Sequence, residues 1–169
     1  MEKYEFALES FKNIQDLMKF TDQKSGAVLL VSGFILTIFL EFSKELIFVE
    51  YISFYGCMTL IFGVITISLI TYVIYLSIFK VVIPRLAKNY SDDEFLLFYF
   101  EHLATMGKLK IKENFQNLDK EKILEHVLDQ TFEVSKILEI KTVELKNSMK
   151  YLFFSILSLL AFVLASNLI

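Results

Sequence analysis

Arginine, cysteine and proline each occur once in this chain of 169 residues, and glycine five times. A lone cysteine, Cys57, can close no intrachain disulfide, so a redox-stapled fold is excluded and the residue says nothing about compartment. Inside an apolar run it reads as a small packing residue. The single proline, Pro84, leaves 1–79 and 118–169 without the residue that breaks helices. Arg85, alone among lysines, fits an AT-rich genome and offers no basic face for DNA or RNA. Charged residues from Glu2 to Lys24 interrupt everything before the first apolar run, so no cleaved signal peptide is expected.

Signatures of catalysis are missing as well. His102 and His126 stand 24 residues apart, outside any HxxxH or HExxH arrangement, and there is neither a Gly-rich phosphate loop nor a G-x-S-x-G. Each histidine reads as a solvated helix residue. Asp92, Asp93 and Glu94 fit a helix start, where acidic side chains meet the dipole favourably. The expectation is a protein that is not an enzyme, with no catalytic residue, no metal site and no cofactor.

What is present is segregated. Three stretches carry no charge at all, Ser25–Leu40, Tyr51–Phe79 and Tyr151–Ile169, of 16, 29 and 19 residues. A helical span needs roughly 20 apolar residues to cross about 30 Å of hydrocarbon, which the second and third supply. The first is short but can thin the bilayer at its ends while Lys44 snorkels. Lysine and arginine set orientation: four precede the first span, one lies in the loop Glu41–Glu50, and twelve fall in Lys80–Lys150. The N-terminus and residues 80–150 are therefore expected in the cytoplasm and the loop outside, in a multi-pass protein.

Local pattern fills in the helices. Tyr4, Ala7, Phe11, Ile14, Met18 and Thr21 form a stripe that runs into the first span. Gly26 with Gly33, and Gly56 with Gly63, are each seven apart, which reads as close packing of the two spans. Tyr51, Phe54 and Tyr55 read as an aromatic belt. The second span should end or kink at Ile83, the residue before Pro84. Ser91–Glu94 is a capping box opening a helix to about Met106, Gly107 stops it, and Lys108–Asn117 is a polar connection. One helix of roughly 50 residues, about 75 Å, then runs from near Leu118 through the third span. Its seam is expected at Leu124, Leu128, Thr131, Ser135, Leu138, Thr142, Leu145 and Met149, flanked by Ile123, Val127, Val134 and Ile137. The three hydroxyls there mean either a core that can repack or small residues that let helices approach.

The fold expected is an all-α integral membrane protein, three transmembrane helices continuous with a cytoplasmic helical bundle. Its divisions are residues 1–24, an N-terminal helix; 25–83, two spans; 84–150, the cytoplasmic helical region; and 151–169, the third span. Asp22 and Lys24 stand at the mouth of the first span, where unpaired charge is costly. Two residues apart on a helix, they cannot satisfy each other. Either Arg85, Lys146 or Lys150 pairs with Asp22 and Glu144 with Lys24, or both reach interfacial water. Lys108, Lys110 and Lys112, with Arg85 and Lys88, form either a phosphate-binding cluster or ordinary juxtamembrane contacts to anionic lipid.

These residues carry a resemblance. Leu17-Met18-Lys19-Phe20-Thr21-Asp22-Gln23-Lys24-Ser25-Gly26 resembles the "fADaKAg" entry of the Pycsar effector domain family, with Thr21, Gln23 and Ser25 departing from it. Ile83-Pro84-Arg85 and Phe98-Tyr99-Phe100 are similar to its "lPr" and "yF" elements, and Gln130, Ser135, Ile137 and Lys141 to "q...ls.i...K". The resemblance spans nearly the whole chain and implies an antiphage effector at the bacterial inner membrane. A cognate cyclase makes a cyclic mononucleotide, cyclic CMP or cyclic UMP, and the effector oligomerises or rearranges and impairs the membrane, an abortive infection. Asp22, Lys24, Gln130, Ser135 and Lys141 are the expected coupling residues. A homo-oligomer in the bilayer is expected; the alternatives are a non-lytic adaptor whose helices dock a partner protein and a constitutive channel, for which the spans offer no charge.

Overall fold

A computed structural model describes residues 3–46, 54–84, 107–116 and 118–168. These are almost entirely helical, with no strand among the described residues. The helices are α1 (Lys3–Leu46), α2 (Phe54–Tyr75) continued by a π-helical turn (Leu76–Val82), α3 (Lys108–Gln116) and α4 (Lys120–Ser166). Three of them, α1, α2 with its π extension, and α4, are long and apolar enough to cross a membrane. Asp119 starts α4 by accepting the Lys122 backbone N–H at 2.8 Å, which satisfies one of the amides that a helix start leaves orphaned.

The chain divides into two compact units, one of Met1–Phe20 with Arg85–Ile140 and one of Thr21–Pro84 with Lys141–Ile169. In the first, Ala7 on α1 and Val127, Gln130 and Glu133 on α4 are buried. In the second, two clusters each draw on three helices. Ile35 and Phe39 of α1 meet Ile70 of α2 and Leu159 and Phe162 of α4. Nearer the other end, Val28, Val73, Val81 and Leu145 pack together. The order of these contacts makes α1 and α4 parallel, with α2 running back between their levels.

Polarity in this second unit is reversed relative to a protein in water. Ser25, Ser32, Thr59, Thr66, Ser77, Ser148, Ser155 and Ser158 are buried, while Leu30, Phe34, Leu60, Val64, Phe153 and Leu164 face outward. Hydrocarbon is as apolar as leucine, so nothing drives leucine inward; small side chains win the interior because they let backbones approach. Their hydroxyls are satisfied locally or across helices. Ser32 donates to the Val28 carbonyl at 2.8 Å and Thr59 to the Tyr55 carbonyl at 2.9 Å.

Several expectations need correction. Gly26 and Gly33 face open space, and the small residues in the seam are their predecessors Ser25 and Ser32. Gly63 behaves as expected: a Cβ there would stand 3.3 Å from the Phe162 ring and 3.6 Å from that of Phe39. Cys57 is exposed rather than packed. Helix α1 runs past Leu40 into the expected outer loop, where Lys44 and Glu41 pair at 2.7 Å on the surface. Lys108–Gln116, expected as a connection, is a helix because Lys, Leu, Glu and Gln are good helix formers with no breaker among them. The Gly107 carbonyl accepts from Ile111 N–H, so this glycine opens a helix. Of the seam expected on α4, Leu145 and the flanking Val127 are buried and Leu124, Thr131, Ser135 and Leu138 half-buried, but Leu128, Thr142 and Met149 are exposed, and Gln130, Lys141 and Ser148 are buried beside them. Polar residues occupy the real seam, so following the apolar side chains selects the neighbouring stripe. Ser91–Glu94, the helix to Met106 and His102 lie outside the described residues.

Ile83 ends the second span as Pro84 requires, with φ −60° and ψ 128°. Before it comes a π turn, closed by Ile83 N–H to the Ile78 carbonyl at 3.0 Å, that no feature of composition announces. Val73, Ser77 and Val81 are all fully buried at four-residue steps. In an α-helix each such step overshoots a full turn by about 40°, and the wider π turn takes that back, keeping all three pointed inward.

Gly63→Leu should therefore destabilise by about 1–3 kcal/mol through overpacking against Phe162. Gly26→Ala and Gly33→Ala should be neutral or stabilising by up to about 1 kcal/mol. Thermal unfolding in detergent micelles checks both.

Candidate functional site

The second unit concentrates polar contacts at the level where Lys141 and Asp22 meet. Lys141 Nζ donates to Asp22 Oδ1 at 2.7 Å across 119 residues of sequence, with 5% of the lysine side chain and 39% of the aspartate exposed. Asp22 sits on α1 just before the uncharged run, and Lys141 on α4 ten residues before the third. The expected partners of Asp22 are thus corrected. Lys146 and Lys150 are exposed, and Arg85 lies outside the described residues. Lys141 comes before both on α4, and it is the helix register, not nearness to the apolar run, that brings it level with Asp22. Lys24 is exposed, Glu144 is half-buried, and the other two expected coupling residues, Gln130 and Ser135, lie on the part of α4 in the first unit. Gln130 is buried, and Ser135 donates to the Thr131 carbonyl at 2.6 Å.

One helical turn further into the span, three serines converge. Ser25 of α1 donates to the Ser77 carbonyl at 3.3 Å; the Ser77 and Ser148 hydroxyls are 2.7 Å apart; and Ser148 lies 3.5 Å from the Val73 carbonyl, a weak contact. All three are fully buried. The π turn contributes Ser77, so its hydroxyl and its carbonyl both serve as contact points for other helices. Deeper still, Thr66 donates to Ser158 at 2.8 Å and Ser158 to the Phe62 carbonyl at 3.2 Å. The three tiers tie α1, α2 and α4 at successive depths.

The arrangement is a set of discrete polar pairings that join three helices. Sequence reasoning points to Asp22 and Lys141 and misses the serines. The signal is there in spacing: Ser25 and Ser32, Ser77 and Ile70, and Ser148 and Ser155 are each seven apart.

Of the cationic cluster, Lys108, Lys110 and Lys112 are exposed on α3, and Arg85 and Lys88 lie outside the described residues. On a helix Lys108 and Lys112 share a face and Lys110 lies nearly opposite. His126, expected to be solvated, is half-buried, and its Nδ1 is shielded from solvent without a hydrogen-bond partner. No group of three His, Cys, Asp or Glu suited to a metal occurs among the described residues.

A family model described as the Pycsar effector protein domain matches residues 6–168. Searches of curated proteins and of solved structures return no match.

The two members of the charge pair should respond unequally to removal. Asp22→Asn leaves a charged lysine buried and should cost about 3–5 kcal/mol. Lys141→Met leaves a partly exposed carboxylate that water can reach, and should cost much less. The midpoint of thermal unfolding for each variant checks this order. A double-mutant cycle on Ser77→Ala and Ser148→Ala should give a coupling of about 0.6–1.7 kcal/mol.

Proposed function

The chain belongs to the Pycsar effector domain family, which makes it an effector of cyclic-nucleotide antiphage defence, and on that premise we propose that it is a helical switch thrown at the mouth of its own membrane spans. The signal is a cyclic mononucleotide, cyclic CMP or cyclic UMP, made by a cognate cyclase on infection. Binding favours a second packing of the helices; the spans rearrange and self-associate, and the inner membrane loses integrity. The lysine distribution supports a cytoplasmic N-terminus and cytoplasmic residues 80–150, where such a signal is met. Lys108 and Lys112, sharing one face of α3, are the described candidates for its phosphate, beside Lys110, Arg85 and Lys88.

One observation supports the reading above others: the buried Lys141–Asp22 pair, followed by the Ser25–Ser77–Ser148 tier on a π turn. An apolar core would hold the helices at least as firmly, since buried ion pairs add little net stability. What paired polar groups supply is a choice between discrete arrangements, and π turns are frequent at functional sites. Moving the population from 1:99 to 99:1 requires about 10⁴-fold tighter binding to the second packing. Asp22, Lys24, Gln130, Ser135 and Lys141 then act as coupling residues, without touching the ligand.

A second reading, a non-lytic adaptor, draws on Leu128 and Phe132, which lie four apart on α4 in the first unit and are about half exposed, at 51% and 54%. An apolar pair there suits a protein partner.

Co-expression with an active cyclase decides between them. The effector reading expects collapse of membrane potential and loss of dye exclusion within the infected-cell timescale, and neither with a catalytically dead cyclase. Intact potential together with a stably co-purifying partner contradicts it in favour of the adaptor.

A further inference from the structure

The outward face between α2 and α4 holds a groove of about 410 Å³, walled by Phe62, Ile65 and Leu69 on one side and Phe154, Leu157 and Ala161 on the other. One end is closed by Tyr151, beside which the third uncharged run begins. From Tyr151 to Ala161 is ten residues, about 15 Å of helix, half of a hydrocarbon core about 30 Å thick. The groove therefore runs the depth of one leaflet.

Its mouth is built from aromatic rings. Tyr151 meets Tyr72 edge to face at 4.9 Å, Tyr72 stacks on Tyr75 at 6.4 Å, and Tyr75 on Phe79 at 5.4 Å. Such a collar of amphipathic rings sits at headgroup level in a bilayer. Lys80 lies over the Tyr75 ring of this collar at 6.0 Å. Lys150, exposed, directly precedes Tyr151 along α4.

We infer that this groove is a binding site for an anionic phospholipid of the surrounding bilayer, one acyl chain lying along α2 and α4 and the phosphate held at the Lys80 and Lys150 end. Depth, apolar walls and charge at one end together fit a lipid. A second copy of the chain would need neither a groove one leaflet deep nor lysines at its mouth. The bound lipid bridges α2 and α4 on the side opposite α1, next to the Thr66–Ser158 contact. The inference is independent of how the effector is triggered.

The test uses the full chain in nanodiscs containing phosphatidylglycerol or phosphatidylcholine, each with a photoactivatable group midway along one acyl chain, and maps the labelled peptides by mass spectrometry. Labelling is expected to concentrate in 62–69 and 151–161 and to favour phosphatidylglycerol. Lys80→Gln and Lys150→Gln, each with its thermal unfolding midpoint measured alongside, should each lower phosphatidylglycerol labelling by about fivefold, the worth of one lysine near an anionic headgroup. Ala161→Phe should block labelling by both lipids. Equal labelling by the two lipids, or equal labelling of the outward face of α1 at Leu30 and Phe34, each overturns the site.

Discussion

A lysine ammonium carried into the interior of a bundle at the edge of hydrocarbon is tolerable only if an anion meets it there, and Lys141 meets Asp22. That requirement fixes the axial position of α4 against α1. Once it is met, Ser148, two turns further along α4, comes level with Ser25 and Ser77, and Leu145 with Val28, Val73 and Val81. The register then carries through to Phe39, Gly63 and Phe162 at the far end. Slippage of α4 by one turn would break the charge pair, the serine tier and the Gly63 contact together.

The π turn follows from the same constraint. Helix α2 must offer Val73, Ser77 and Val81 to one interior line and stop at Ile83 because Pro84 follows. A regular α-helix would spread them over about 80° of its circumference. The π turn is placed where Ser25 can donate to the Ser77 carbonyl. A polar, irregular, tightly specified level thus sits between a charged segment and an apolar one.

Much of this fold is legible in the amino-acid sequence. The uncharged runs locate the spans, Pro84 locates the end of the second, and the absence of breakers after Leu118 announces one long helix. Asp22 and Lys141 stand out as well, one by its position at a span mouth and the other by resemblance. What escapes has a common cause. Inside a membrane bundle the seam is polar, so the rule that apolar residues face the core selects Leu128 and Met149 over Gln130, Lys141 and Ser148 on α4. On α1, small size without regard to hydroxyls favours the glycines over the serines. Pairing partners 119 residues apart depend on register, which periodicity along one helix does not contain.

The central claim is that the Asp22–Lys141 contact sets the register of α1 and α4. Exchanging the charges, Asp22→Lys with Lys141→Asp, addresses it most directly, with thermal unfolding of each single variant and of the double in the same detergent. A contact that sets register predicts that each single variant is strongly destabilised and that the double recovers most of the loss, because an ion pair of reversed sense closes the same gap. If the losses simply add, the two residues do not hold the helices through each other, and the account is contradicted.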